Sequence, residues 1–271
     1  SQGRMLLRGG TGRVLDSPVP EVCGRGKPRG GFGEYRGEAE DARHLHREFE
    51  TLKADRTRVT NRIKGHLAGQ GVLEVELRPG FEVVLESMEI WDGLGLGEHL
   101  RSRLKRDWAK VQWLNEQIRE VEAERRILLK SSRDPAVEMV RQLQGLRGIG
   151  EKSSWLFVAE FFGWRKFRNR REVGGLAGLA PTPNQSGDLD QERGIDKAGN
   201  RHVRAMAIEI AWCWLRYQPG SALSRWYQEK WGGGSSRLRR IGIVALARKL
   251  LVELWRYLQT GALPEGATTK A

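Results

Sequence analysis

The sequence predicts a mainly α-helical protein, in which a coiled-coil helical hairpin is followed by a helical domain containing a helix-hairpin-helix. Three observations predict it. Two long apolar stripes recur at helical spacing, strand-type alternation is confined to Val72–Leu77, and a Gly-Ile-Gly turn lies between two amphipathic segments.

Residues 1–37 stand apart. They are rich in glycine and arginine, as in Gly24-Arg25-Gly26-Lys27-Pro28-Arg29, and carry almost no apolar periodicity. Such a stretch buries too little surface to offset its ordering entropy, so disorder is expected there. From Glu38 the pattern changes. Leu45, Phe49, Leu52, Val59, Ile63 and Leu67 form a helical stripe, interrupted once at Arg56. After a looser segment, 69–97, a second stripe runs through Leu104, Trp108, Val111, Leu114, Ile118, Val121 and Leu128. Two such helices with a non-helical connection fit an antiparallel coiled-coil hairpin over 38–130. Helices from a second chain satisfy the same pattern, so a homo-oligomer through the coiled coil is expected.

The second region spans 131–261. Asp134 suits an N-cap and Pro135 the first helical position. Helices are expected at 135–146, 151–162, 200–217 and 236–258, with Pro219-Gly220 ending the third and Gly232-Gly233-Gly234 preceding the fourth. The tail, 262–271, is expected to fray.

Charge narrows the partner. The 271 residues hold 47 Lys+Arg against 34 Asp+Glu, a formal charge of +13. That excess suits nucleic acid or an anionic membrane surface. No apolar run of about 18 residues and no signal peptide is present, which argues against a membrane and for a cytoplasmic, nucleoid-associated protein. Cys23 and Cys213 form no CxxC pair, so neither a zinc site nor a disulfide framework is expected.

Three stretches could carry chemistry. In Leu146–Ser154 the glycines Gly148 and Gly150 would let a phosphate approach the backbone at a helix start, with Ile149 plugging inward and Arg147 and Lys152 adding charge. A tight Gly-capped connection is the bland alternative. In Arg165–Arg171, the cations Arg165, Lys166 and Arg168 offer a second phosphate contact, or simply a solvated face. From Gly174 to Trp214, the loop Pro181–Gly187 presents Ser186, followed by Arg193, Lys197, Arg201, His202 and Arg204. Phosphoryl transfer by a serine needs that hydroxyl, a route for its proton, and cations to hold the phosphate's charge. Standing alone, Ser-Gly in a polar loop is more often a turn. Asp188, Asp190, Glu192 and Asp196 do not make a calcium loop, because Arg193 and Gly199 occupy the positions where Gly and Glu are required. No metal ligands are assigned.

At this point the residues AGLAPTPNQSGD, RGIDKAGNRHVRA and EIAW, within Gly174–Trp214, resemble the signature of the IS-one-ten / Piv-type DEDD insertion-sequence transposase family. The segments Leu146–Glu160 and Glu38–Val72 are similar to the same family's C-terminal serine transposase domain and coiled-coil entry. The resemblance covers about residues 38 to 260. It implies cutting and rejoining of DNA at insertion-sequence ends and target, with Ser186 as the catalytic nucleophile and a structured guide non-coding RNA as a further partner. It also implies Mg²⁺, held by four acidic residues of an N-terminal RuvC-like domain. Residues 1–37 do not resemble that domain, so the expectation is a truncated member, inactive alone, with no cofactor of its own. The alternative is a non-enzymatic helix-hairpin-helix nucleic-acid-binding protein.

Overall fold

The computed structural model describes residues 37–186 and 189–270. The expected disordered segment at 1–37 therefore lies outside the described residues, except for Gly37, which already begins a helix. The protein is mainly α-helical, as its periodicities predict.

Helix α1 (Gly37–Ala68) and helix α3 (Glu98–Ser131) pack against each other antiparallel. At 34 residues, α3 is roughly 50 Å long. One end of the pair is apolar: Val59, Ile63 and Leu67 meet Leu104, Trp108 and Val111, with Phe49, Ile118 and Val121 further along. Arg56, the break in the first stripe, faces the partner helix and donates to Asn115 Oδ1 at 3.3 Å. Nearly two turns further on, Arg62 grips Asp107 side-on through Nε and Nη2, with Nε donating to Oδ2 at 2.8 Å. That hydrogen bond holds the Asp107 carboxyl below the usual range, against a smaller opposing effect of burial.

The connection 69–97 is more ordered than its glycines suggest. A short helix, α2 (Phe81–Glu86), turns Phe81 and Leu85 onto the hairpin core, and Phe81 meets Trp108 edge-on with ring centroids 5.3 Å apart. Val72–Leu77, the one candidate strand, has no strand pairing. Its alternation instead serves partial burial of Val72, Val75 and Leu77 on the α1–α3 core.

The rest is one helical domain. Helices α4 (Pro135–Gly145), α5 (Glu151–Phe157) and α6 (Arg170–Leu176) precede a β-ribbon, β1 (Pro181–Ser186) and β2 (Leu189–Ile195). Then come α7 (Arg201–Tyr217), α8 (Ala222–Tyr227) and α9 (Ser236–Thr260). Asp134 caps α4 as its sequence position predicts, accepting from the Ala136 N–H at 2.7 Å. A π turn, Val158–Phe162, continues α5 and aims Glu160 at α1. Helices α7 and α9 pack face to face through a core that includes Trp214, Ile210, Leu246 and Leu250.

Two features depart from the sequence reading. The stretch from Pro181, expected to be a loop, is an antiparallel ribbon. Pro181 and Pro183 fit because both strands of a two-stranded ribbon are edges, where a missing N–H costs no ladder bond. The tail, expected to fray, is docked. Lys270 N–H donates to Gly145 O at 2.7 Å, and Thr268 O accepts from Arg147 N–H at 3.2 Å. Gln218, buried at the end of α7, closes this junction: its Nε2 donates to Arg147 O and Thr268 O, while its Oε1 accepts from Thr268 N–H and Oγ1. Gln218→Leu leaves those partners unsatisfied, so urea unfolding will report a loss of about 2–4 kcal/mol.

Candidate nucleic-acid interface

The residues singled out by the sequence fall into two groups at opposite ends of α7. The first surrounds the turn between α4 and α5. Gly148 takes φ +86°, a left-handed conformation open to glycine, and sits against Cys213 O and the Tyr217 side chain on α7. Ile149 is buried. Arg147 and Lys152 are exposed, so their charges face solvent. The turn's backbone is largely spoken for: Gly150 N–H donates to Ser153 Oγ at 3.1 Å, and Lys270 Nζ donates to Ile149 O at 2.7 Å. Burial lowers the Lys270 ammonium from its usual value.

The second group lies around the β-ribbon, near the start of α7, roughly 24 Å along that helix from the turn. Ser186 ends β1 with its Cα paired to Leu189, and Arg193 in β2 pairs with Thr182. The side chains of Ser186 and Arg193, and residues 187 and 188, lie outside the described residues. After β2 the chain returns along the segment that follows α6. Asp196 N–H donates to Ala180 O at 2.9 Å, Lys197 N–H to Gly178 O at 3.3 Å, and Asn200 N–H to Leu176 O at 3.2 Å. Gly178 and Gly199 let the two backbones touch: a Cβ at position 199 would stand 2.2 Å from Leu176 O and 2.3 Å from Gly178 N.

This seam orients the cations named from sequence. Lys197 takes φ +61°, uncommon for a residue with a side chain, and is exposed. Arg204 is turned to bracing, donating to Lys197 O at 3.0 Å and to Gly199 O. Arg201 is exposed beside Asn200, whose side chain caps α7 by accepting from the His202 and Val203 N–H groups. Before the ribbon, Arg165 lies over the Trp164 ring at 4.3 Å, while Lys166 and Arg168 are exposed.

Sequence reasoning passed over a strongly cationic groove. A groove of about 1390 Å³ runs between α9 and the root of the ribbon. Helix α9 contributes Arg237, Arg240, Arg248, Lys249 and Arg256. Arg170 and Arg171 come from α6, and Lys197, with Pro181, Gly194 and Ile195, forms the wall at the ribbon's root. Among the described residues Glu253 is the one carboxylate lining it, and it already accepts from Arg256 at 2.7 Å. The missed signal was the recurrence of Arg237, Arg240, Val244, Arg248, Val252 and Arg256 at steps of three or four, which places them on one helical face.

A buried charged cluster ties the hairpin to this domain. Glu160 accepts from Arg47 Nε on α1 at 2.9 Å and from Asn200 Nδ2 at 3.5 Å. Burial raises its carboxyl, but the Arg47 hydrogen bond and the charges of Arg47, Arg43 and His46 together hold it below its ordinary value. Arg125 on α3 is buried between the rings of Phe49, at 4.5 Å, and Trp155, at 4.8 Å. Burial pushes its guanidinium down to about 10.

Residues 140–227 match the family model described as Transposase IS116/IS110/IS902 family. The Sinorhizobium fredii (strain NBRC 101917 / NGR234) protein y4rJ, which carries a transposase name, is 41% identical over 245 residues, covering 86% of this chain and 61% of its own. The transposase for insertion sequence element IS1328 of Yersinia enterocolitica is 25% identical, covering 78% of this chain and 60% of its own. The transposase for insertion sequence element IS1111A of Coxiella burnetii is 24% identical, covering 66% of this chain and 48% of its own. The chain thus spans 61% or less of each of these three relatives' lengths. Among the described residues no helix is long and apolar enough to cross a membrane. The resemblance seen in Gly174–Trp214 therefore holds: residues 140–227, from α4 to α8, are a domain of the IS116/IS110/IS902 transposase family.

Proposed function

We propose that this chain supplies the serine-bearing part of an insertion-sequence DNA transposase, working at the bacterial nucleoid. The observation that carries the reading is the placement of the ribbon: its root forms a wall of the cationic groove, and its first strand ends at Ser186. In the proposed step Ser186 Oγ attacks a backbone phosphorus. An Oγ–P bond forms as a P–O bond of the DNA breaks, and the serine's proton passes to the departing deoxyribose oxygen. Rejoining is the reverse attack by a DNA hydroxyl. Arg193 and Arg201 would stand beside the phosphate in the role that stabilises developing charge, and Arg147, Gly148, Gly150, Lys152, Lys166 and Arg168 would hold flanking backbone.

Among the described residues no group of three or more His, Cys, Asp or Glu side chains could hold a metal ion. These residues do not fit the Mg²⁺ that the resemblance implies. In this reading the metal belongs to an acidic RuvC-like domain, the guide RNA is a further partner, and the hairpin joins copies of the chain.

The test is capture of a protein–DNA adduct on labelled insertion-sequence-end DNA with Mg²⁺, using this chain together with a polypeptide carrying the acidic domain. Ser186→Ala is expected to lower adduct yield at least ~10³-fold while duplex affinity stays within about twofold. A purely DNA-binding helix-hairpin-helix protein would be indifferent to that substitution. An adduct that persists in Ser186→Ala sinks the serine mechanism.

A further inference from the structure

We infer that one face of α9 is the seat of the DNA backbone: a duplex lies along the groove on Arg237, Arg240 and Arg248, with Arg170, Arg171 and Lys197 opposite. This deepens the proposed function, on which the choice of DNA as the polyanion rests.

Charge is the first argument. Among the described residues these six side chains make no ion pair or hydrogen bond, although carboxylates elsewhere on the surface, such as Glu86 and Glu138, are paired. Like charges lining one groove repel each other, and their unmet potential favours a dense polyanion. Duplex DNA carries one charge per ~1.7 Å of axis. From Arg237 to Arg256, α9 runs roughly 28 Å, close to eight base-pair steps at ~3.4 Å per step. The groove therefore matches most of a helical turn.

Construction is the second. Arg248 is half-buried and lies across α6 at Gly174, where an added Cβ would meet its Nε at 2.8 Å and its Cγ at 3.3 Å. The bare glycine gives the guanidinium a slot on the groove floor. Next to it Ile241 is 53% exposed, an apolar side chain left open between Arg237 and Arg248 on the helix. Deoxyribose, with its apolar edge, is a natural neighbour for such a residue beside phosphate-holding cations. At the far side Lys249 sits over the Trp226 ring at 4.4 Å, which fixes that wall of the groove.

Fluorescence anisotropy with the full chain and a labelled 20-bp duplex, across a salt series, tests this. Arg240→Gln/Arg248→Gln is expected to weaken binding at least ~10-fold at ~0.1 M salt. It should also make the log–log salt slope shallower by about 2, roughly one counterion per lost contact. Arg119→Gln, at an exposed cation of α3 outside the groove, is expected to leave the slope within about 0.5 of the parent. Gly174→Ala displaces Arg248 and should reproduce the loss of Arg248→Gln alone. If Gly174→Ala does not fold, the Arg240→Gln/Arg248→Gln variant still decides. An unchanged slope in the double variant overturns the inference. So does tighter binding of a 20-nucleotide RNA or single-stranded DNA than of the duplex. Loss of binding in the groove variants with an adduct surviving in Ser186→Ala would refute the serine chemistry and leave the groove standing.

Discussion

Gly199→Ala lowers the melting temperature by roughly 6–12 °C and loosens the ribbon from its domain. At position 199 the new Cβ meets three backbone atoms: Leu176 O at 2.2 Å, Gly178 N at 2.3 Å and Ala177 C at 2.6 Å. No rotamer relieves a clash with backbone, so the segments 176–180 and 196–200 must part. That breaks the hydrogen bonds from Lys197 and Asn200 and the Arg204 brace on Gly199 O. A loss of about 3 kcal/mol is in the range for a disrupted backbone contact, and it converts to that shift for a domain of this size. Gly194→Ala is the control, since nothing lies within 4 Å of its added Cβ. Calorimetry on the two variants and hydrogen exchange at the Asn200 amide will measure the difference. Equal melting temperatures would show that the seam is not a structural element.

Acidification destabilises the junction between hairpin and domain. His46 is 3% exposed, and burial pushes its imidazole from 6.5 down to about 4. Arg125, Arg47 and His202 add to the lowering, and Glu160 opposes it. The unfolded chain takes up a proton near pH 6.5 that the folded chain refuses until about pH 4. The stabilisation from a neutral His46 is therefore complete above pH 6.5 and lost as pH falls from there toward 4. Its size is about 3 kcal/mol. Chemical unfolding at pH 7.5, 5.5 and 4.5 will show this decline. In His46→Gln, which cannot titrate, the curve flattens through that window whatever the variant's absolute stability. An unchanged pH dependence in His46→Gln would remove the imidazole as its source.

How legible these features were depends on what holds them. The long helices were readable because burial on one face forces 3.6-residue periodicity: Phe49 to Leu67 and Leu104 to Val121 lie in the core as their spacing demands. Short elements such as α2, α6 and α8 hold six or seven residues each, too few to set up a period. The ribbon was hidden by Pro181 and Pro183, which read as loop unless both strands are known to be edges. The transposase motif around Ser186 was legible as a resemblance, and the family match at 140–227 agrees with it. The seam at Gly178 and Gly199 was not, because contact between backbones leaves no side-chain pattern. The junction cluster was equally silent: Arg47 and Glu160 are 113 residues apart in sequence, and nothing local pairs them. The α9 cations were present in the spacing and were overlooked because a charged helical face is usually only a solvated one.

One carboxylate, Glu160, bonds both the long helix α1 and the capping residue of α7. Two elements that share a fastener cannot loosen independently. Whatever steadies the first turn of α7 must therefore shift the opening equilibrium at the root of the hairpin, and tightening that root must shift the first turn by the same factor.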